Sequence, residues 1–169
     1  MRVGVGYDVH PLVPGRELIL GGVKIAYEKG LEGHSDGDAL VHAMIDALLG
    51  ATGLGDIGTH FPSTDDTLRG ISSLVLLDRV RELLDRTRWR ISNVDATIIA
   101  EQPVLTTYVG QMRDSISRTL GIGVDQVGVK STTSKGLGFL GKGEAIAVHA
   151  VALVDEVGDC GQRTGLTPE

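Results

Sequence analysis

Gly33-His34-Ser35-Asp36-Gly37-Asp38-Ala39-Leu40-Val41-His42 is the stretch on which the reading of this chain turns. Ser35 and Asp38 have the Ser-x-x-Asp spacing of a helix capping box, and the apolar run behind them starts a helix near Asp38. His42 and Asp46 then stand one turn apart on one face. His34 falls in the loop ahead of the helix, where free N–H groups and the helix dipole favour an anion. Alone, the stretch describes an ordinary capped helix with a solvated histidine and aspartate. Asp8-Val9-His10 changes that. Alternate residues of a strand point to one side, so Asp8 and His10 can grip one ion together. With His42 the set is two histidines and a carboxylate with a fourth position open, the donor pattern of catalytic zinc.

Composition narrows the class. With 169 residues, 41% of them hydrophobic, the chain is one globular domain. Its apolar runs are far shorter than the roughly 18 residues that span a membrane. The start, Met1-Arg2-Val3-Gly4-Val5, enters a strand pattern directly, with no signal peptide. A formal net charge of -6 argues against a general nucleic-acid binder. The single cysteine, Cys160, excludes an internal disulfide and fits a reducing cytoplasm. Residues 1–157 form the expected catalytic domain and 158–169 a flexible C-terminal tail.

Taken in order, Val3, Val5 and Tyr7 alternate with glycine in a first strand that ends at Asp8-Val9-His10 and is broken by Pro11 to Gly15. Residues 17 to 25 read as a hairpin across Gly21-Gly22. The helix from Asp38 stops near Gly53. Leu54 to Asp65 is a polar loop with too few apolar side chains to be mere packing. Ser72 or Ser73 caps a second helix, whose buried stripe is Leu74, Leu77, Val80 and Leu84. A strand runs from Asn93 to Ala100. Thr106 or Thr107 caps a third helix that Gly121 closes. Val127 to Lys130 is a short strand running into Ser131-Thr132-Thr133-Ser134-Lys135-Gly136-Leu137-Gly138-Phe139, a turn suited to cupping phosphate. Ala145 to Val154 is apolar on almost both faces, as a strand covered on both sides would be, and a neighbouring subunit is the expected cover. The architecture is α+β: one layered domain, a mixed β-sheet with helices on one face. Zinc beside anion-binding loops indicates attack at a phosphoryl or carbonyl centre.

At these residues the chain resembles the 2-C-methyl-D-erythritol 2,4-cyclodiphosphate synthases of the non-mevalonate isoprenoid pathway. The motifs are Asp8-Val-His10, Gly33 to Asp38 with His42, Leu54-Gly-Asp-Ile-Gly58, Phe61-Pro-x-x-Asp65 and Thr132-Thr133 with Leu137-Gly-Phe139. The resemblance implies conversion of 4-diphosphocytidyl-2-C-methyl-D-erythritol 2-phosphate to the cyclic diphosphate with release of CMP. It also implies a homotrimer with its sheets around a central axis and active sites shared between subunits. Asp8, His10 and His42 would hold zinc, and His34 and Thr133 would stabilise the transition state. Asp56, Ile57 and Gly58, with Phe61 to Asp65, would hold the methylerythritol part. Ala100, Pro103, Val104, Leu105 and Thr106 would seat the cytidine. Ser35, Thr132, Ser134, Lys135, Phe139 and Lys142 complete the implied substrate contacts, beside Asp8 and His10. Asp46 is placed by its spacing to orient His42, while His60 and His149 are structural or surface residues.

Three positions depart from the family pattern: Lys135 for Glu, Val104 for Lys, and Lys142 for Arg. The first bears on a second ion, Mg2+ or Mn2+, because an ammonium brings the same +1 that a carboxylate and a dication bring together. The second bears on the grip at the cytidine diphosphate. The third bears on a central channel that in the family can hold an isoprenoid diphosphate. A non-catalytic trimeric binder of isoprenoid diphosphates is therefore the alternative from another class. A zinc phosphohydrolase is a second, weakened by the lack of an evident residue to activate water.

Overall fold

Glycine alternation fixes how the first strand meets the rest of the molecule. A computed structural model describes residues 1–158; Cys160 and all of the expected tail but Gly158 lie outside the described residues. Strand β1 (Arg2–Pro14) runs through the Val-Gly-Val-Gly alternation and on past Asp8 and His10. It does not stop at Pro11. Proline lacks an N–H but keeps its carbonyl, and Pro11 O accepts from Glu32 N at 2.9 Å. That bond leads into a strand not foreseen in the sequence, β4 (Lys29–Leu31), which pairs antiparallel with the end of β1.

Between them, β2 (Leu18–Leu20) and β3 (Val23–Ile25) form the expected hairpin. Gly21 and Gly22 turn it with φ of 60° and 71°, the left-handed pair a two-residue hairpin turn needs. The helices follow as α1 (Ala39–Thr52), the single turn α2 (Ile57–His60) and α3 (Ser73–Arg86). Then come β5 (Trp89–Ile99), α4 (Val109–Leu120), β6 (Val127–Thr132), the short α5 (Gly138–Gly141) and β7 (Ala145–Glu156). The main sheet has the order β4-β1-β7-β5-β6. All its pairs are antiparallel except β5 with β6, and α4 supplies the crossover a parallel pair requires.

Several boundaries differ from those read in the sequence, each for a local reason. β5 begins at Trp89 and not Asn93, because an irregularity between Ile91 and Asn93 shifts its register on β7 and interrupts the alternation. Neither Thr106 nor Thr107 caps α4; Tyr108 holds that position without a side-chain bond. Ser35 does not cap α1. Asp38 does, accepting from Val41 N at 3.1 Å.

The same Asp38 carboxylate accepts from Gly21 N at 2.9 Å and Gly22 N at 2.7 Å, so one buried side chain ties the β2–β3 turn to the start of α1. Burial, then the neighbouring Asp36 charge, pushes its pKa up to about 6 against the pull of those three N–H groups.

α1 is buried nearly all round, as its run of alanine, leucine, isoleucine and methionine dictates. It lies against β1 and β7 on one side and α3 on the other, so the helices share one face of the sheet. In α3 the stripe is Leu76, Leu77, Val80 and Leu84, with Leu74 only half-buried. The opposite face of the sheet is apolar but open: Val3 is 65% exposed and Val5 69%, with Tyr7, Val9 and Val151 beside them. β7 is thus covered on both faces only over Ala145 to Val148. Its second half alternates, with His149 and Val151 outward, because no element among the described residues covers them. Among the described residues no helix is long and apolar enough to cross a membrane.

A Cβ at Gly4 would meet Ala47 O at 2.0 Å, and one at Gly6 would meet Ala43 O at 1.9 Å. Only glycine lets β1 and α1 lie this close. Gly6→Ala is therefore expected to lower the unfolding free energy by about 3 kcal/mol, measured by urea denaturation. An unchanged midpoint would mean that the strand and helix separate freely.

Candidate metal centre

Asp8 and His10 are two residues apart on β1 and both face α1, whose first turn supplies His42. Asp8 Oδ2 lies 2.8 Å from His10 Nε2 and 3.1 Å from His42 Nδ1. The two ring nitrogens are 3.3 Å from each other. A tetrahedral zinc with bonds of about 2.0–2.1 Å spaces its ligand atoms roughly 3.3 Å apart, so the triangle has the size such an ion needs. This is the only group of three or more potential ligands among the described residues that converges in this way.

The outer ring nitrogens decide what the inner ones can do. His10 Nδ1 donates to the Glu32 carbonyl, and His42 Nε2 faces Ser73 Oγ at 2.9 Å and Ser35 Oγ at 3.1 Å. With hydrogens on those outer atoms, both inner nitrogens present lone pairs toward each other and toward a carboxylate. Three acceptors that converge without a donor repel, and a cation relieves this. Electrostatics agree. Burial would raise Asp8, but in the ion-free centre, where an inner nitrogen of His10 or His42 carries a hydrogen instead of a lone pair, its bond to the carboxylate outweighs burial and holds the carboxyl well below its usual range. Burial works to lower His10, yet the Asp8 carboxylate prevails and raises it.

The surrounding loops are clasped to each other. Arg16 donates to Gly33 O at 3.1 Å and Ser35 O at 3.0 Å. Gly70 N donates to His34 O at 2.8 Å and Asp36 N to Ile71 O at 3.1 Å. His34 Nε2 donates to Asp65 O at 3.0 Å, joining the histidine loop to the 61–65 loop. Asp46 makes no hydrogen bond to His42. Its carboxylate accepts from Ile57 N at 2.8 Å, so it holds the start of α2, and burial raises its pKa. Asp56 and Asp65 bind their own loops, through Thr59 and Thr67, and those hydroxyl hydrogen bonds keep both carboxyls low.

A cavity of about 310 Å³ opens on this centre. Asp8, His10, His34, Ser35, His42, Ile57, Gly58 and Phe61 all line it, with Ser63, Leu68 and Leu76 completing the wall. The sequence-read metal ligands are thus brought together with His34, Ser35, Ile57, Gly58 and Phe61, whereas Asp56 and Asp65 are not in the cavity wall. Arg16, Asp36 and Ser73 were not singled out for the site. Their only local signals were a basic residue between turns, a motif aspartate without a role and a serine at a helix start.

The other candidates gather elsewhere. Ala100, Pro103, Val104, Leu105, Thr106, Thr132 and Thr133 line a separate cavity of about 200 Å³, with Glu101 and Ser131. Ser134, Lys135 and Phe139 continue from its rim in the exposed turn. Lys135 there takes a left-handed φ of 55°, and Gly136 N donates to Glu101 Oε1 at 3.3 Å. Lys142 ends α5, exposed. Across the sheet Asp8 pairs with Val148, Val148 with Ile98, and Ile98 with Ser131. Three strand spacings of about 4.8 Å put the two groups roughly 14 Å apart. Among the described residues, His34 lines the first of these cavities and Thr133 the second.

The YgbB family matches residues 1–155 of this chain. A 2-C-methyl-D-erythritol 2,4-cyclodiphosphate synthase from Clostridium perfringens is 55% identical over 154 residues, which is 91% of this chain and 99% of that protein. A solved 2C-methyl-D-erythritol-2,4-cyclodiphosphate synthase in its CDP-bound form superposes with a TM-score of 0.84 at 38% identity, covering 91% of this chain and 100% of that one. The CDP complex of IspF from Plasmodium falciparum superposes with a TM-score of 0.81 at 35% identity, covering 93% and 97%.

Removing one corner of the triangle leaves two ligands and an unbalanced carboxylate. His42→Ala is expected to take bound divalent metal from about one ion per chain to near zero, read by elemental analysis after dialysis against zinc. Full occupancy in the variant would place the metal elsewhere.

Proposed function

This chain belongs to the YgbB family, and we infer from that membership and from the site that it is a CMP-releasing cyclodiphosphate synthase of isoprenoid biosynthesis. It converts 4-diphosphocytidyl-2-C-methyl-D-erythritol 2-phosphate to 2-C-methyl-D-erythritol 2,4-cyclodiphosphate. The observation that carries this reading is the intact Asp8–His10–His42 triangle at the mouth of a cavity walled by the 34–35 and 57–61 loops.

An oxygen of the substrate's 2-phosphate attacks the β-phosphorus. The bond from that phosphorus to the bridging oxygen breaks, and the electron pair leaves with CMP. The nucleophile is already part of the substrate, so no side chain need attack, and positioning with charge neutralisation is the protein's task. Asp8, His10 and His42 would hold zinc, which would supply a Lewis acid at the β-phosphate. His34 and Thr133 stabilise charge on the transferring phosphoryl group. Asp56, Ile57, Gly58 and Phe61 to Asp65 hold the methylerythritol part, on a loop that Asp46 anchors at Ile57. The cavity of Ala100 to Thr106 with Thr132 seats the cytidine diphosphate.

His34 and Thr133 serve one substrate only if two copies of the chain meet. The open valine face of β1 and β7 supports a homotrimer that buries it and joins one chain's metal cavity to its neighbour's nucleotide cavity. A cytoplasmic place fits a substrate of this charge. A non-catalytic binder is disfavoured, because binding alone requires neither the triangle nor His34. At the turn, Lys135 presents the +1 that a carboxylate and a second ion would bring together, and its flexible ammonium imposes no octahedral geometry.

The decisive assay follows products from the cytidine diphosphate substrate. CMP with cyclic diphosphate is expected; free phosphate would indicate a hydrolase, and no turnover with zinc bound would indicate a binder. His34→Ala and Thr133→Ala should each lower kcat by about 100-fold or more. Co-expressed in equal amounts, the two variants should recover about a quarter of wild-type activity, since one site in four then draws both intact residues. No recovery would mean that each chain builds its own site. CMP release at constant zinc should also depend less on added magnesium than it does in Lys135→Glu, and equal dependence would remove the role given to Lys135.

A further inference from the structure

Helix α3 starts without a cap of its own, since Ser72 at the N-cap position makes no side-chain hydrogen bond. The free N–H of Ser73 is taken by a carboxylate from 37 residues away, Asp36 Oδ2, at 2.9 Å. The other oxygen of that carboxylate accepts the Ser73 hydroxyl hydrogen. A serine hydroxyl has one hydrogen, so Ser73 Oγ keeps only lone pairs for any further partner. That partner is His42 Nε2, 2.9 Å away. The ring must therefore donate at Nε2, which in the neutral imidazole leaves the lone pair on Nδ1. Nδ1 is the atom that faces Asp8 and His10.

Ser35 Oγ also lies near His42 Nε2, at 3.1 Å, but it cannot impose this choice. Its remaining contacts are a 3.4 Å approach to Ser73 Oγ and a 3.4 Å bond from Gly37 N, and neither commits its hydrogen. Ser73 is fully buried, so no solvent competes for its hydroxyl. The order of donation runs one way, from imidazole to hydroxyl to carboxylate.

We propose that Asp36 and Ser73 are positioning residues of the metal centre: the Asp36 carboxylate orients the Ser73 hydroxyl, which fixes the tautomer and ring of His42 so that Nδ1 is presented to the ion. This rests on the metal reading of Asp8, His10 and His42. The arrangement also makes α3 part of the centre, because the carboxylate that caps the helix is the one that sets the ligand. A hydrogen bond one step beyond a ligand is worth 10- to 100-fold in metal affinity.

The test uses the full-length protein stripped of metal, with zinc affinity measured by competition against a chromogenic chelator. Ser73→Ala and Asp36→Asn should weaken zinc by about 10- to 100-fold, Ser73→Thr should restore wild-type affinity, and Ser35→Ala should have the smaller effect. Nitrogen-15 NMR of the metal-free wild type, at a pH where the rings are neutral, should show His42 protonated at Nε2; Ser73→Ala should show a mixture of tautomers. Wild-type affinity in Ser73→Ala would overturn the proposal. So would Ser73→Thr failing as badly as Ser73→Ala with an equal fall in thermal midpoint, since that pattern belongs to a helix cap alone. If the variants do not fold, the wild-type spectrum still decides: a hydrogen on His42 Nδ1 refutes the assignment. A folded wild type that binds no zinc would remove the metal reading itself, and this inference with it.

Discussion

The closeness of α1 to β1 is the constraint on which the rest of the site depends. One face of β1 carries Gly4, Gly6, Asp8, His10 and Leu12 in succession, and they do three different things. The glycines let helix carbonyls touch the strand, Asp8 and His10 fill the next stretch with donor atoms, and Leu12 returns to the core. Ala43, whose carbonyl sits over Gly6, is the neighbour of His42. The contact that needs glycine and the three groups that could hold a metal are thus adjacent on the same two elements. A Cβ at position 6 would stand 1.9 Å from Ala43 O, so the helix would have to move off by roughly an ångström or more, enough to open a triangle whose edges are 2.8 to 3.3 Å.

Around that axis the polar groups work as long-range ties. Asp38 binds the β2–β3 turn to the start of α1, Asp46 binds the start of α2, and Asp36 binds the start of α3. Each carboxylate satisfies backbone N–H groups at a turn or a helix end, where orphan donors and the dipole favour negative charge. The stretch from 36 to 46 therefore organises three segments besides its own helix. Burial makes such ties costly to leave unpaired and hence strongly specifying.

Much of the site was legible because its signals are local. A two-residue interval on a strand and a histidine at the start of a helix pointed to the triangle before any coordinates, and the Gly-Gly hairpin and the glycine stops of α1 and α4 lay where turn chemistry puts them. Ser35 was read as a cap because its spacing to Asp38 fits, yet its hydroxyl turns to His42, and Asp38 caps the helix itself. Asp46 was linked to His42 by helix periodicity, but its acceptor capacity goes to a loop 11 residues on. Ser73 and Asp36 were beyond reach for a plainer reason: their meeting depends on two loops clasping each other, and no periodic pattern encodes that. The extension of β1 past Pro11 was hidden in the same way, since it relies on a carbonyl and a partner strand of three residues.

The distance between the two cavities has a consequence for how the protein lives in solution. On the assembly proposed above, each catalytic unit is half of one chain and half of the next, so catalysis obeys mass action as well as chemistry. Dilution below the dissociation constant of the assembly would extinguish turnover while every chain stayed folded and kept its ion. Specific activity would then be a property of concentration. The valines that lie open on β1 and β7 would set, through the strength of their burial, the lowest abundance at which a cell could use the enzyme at all.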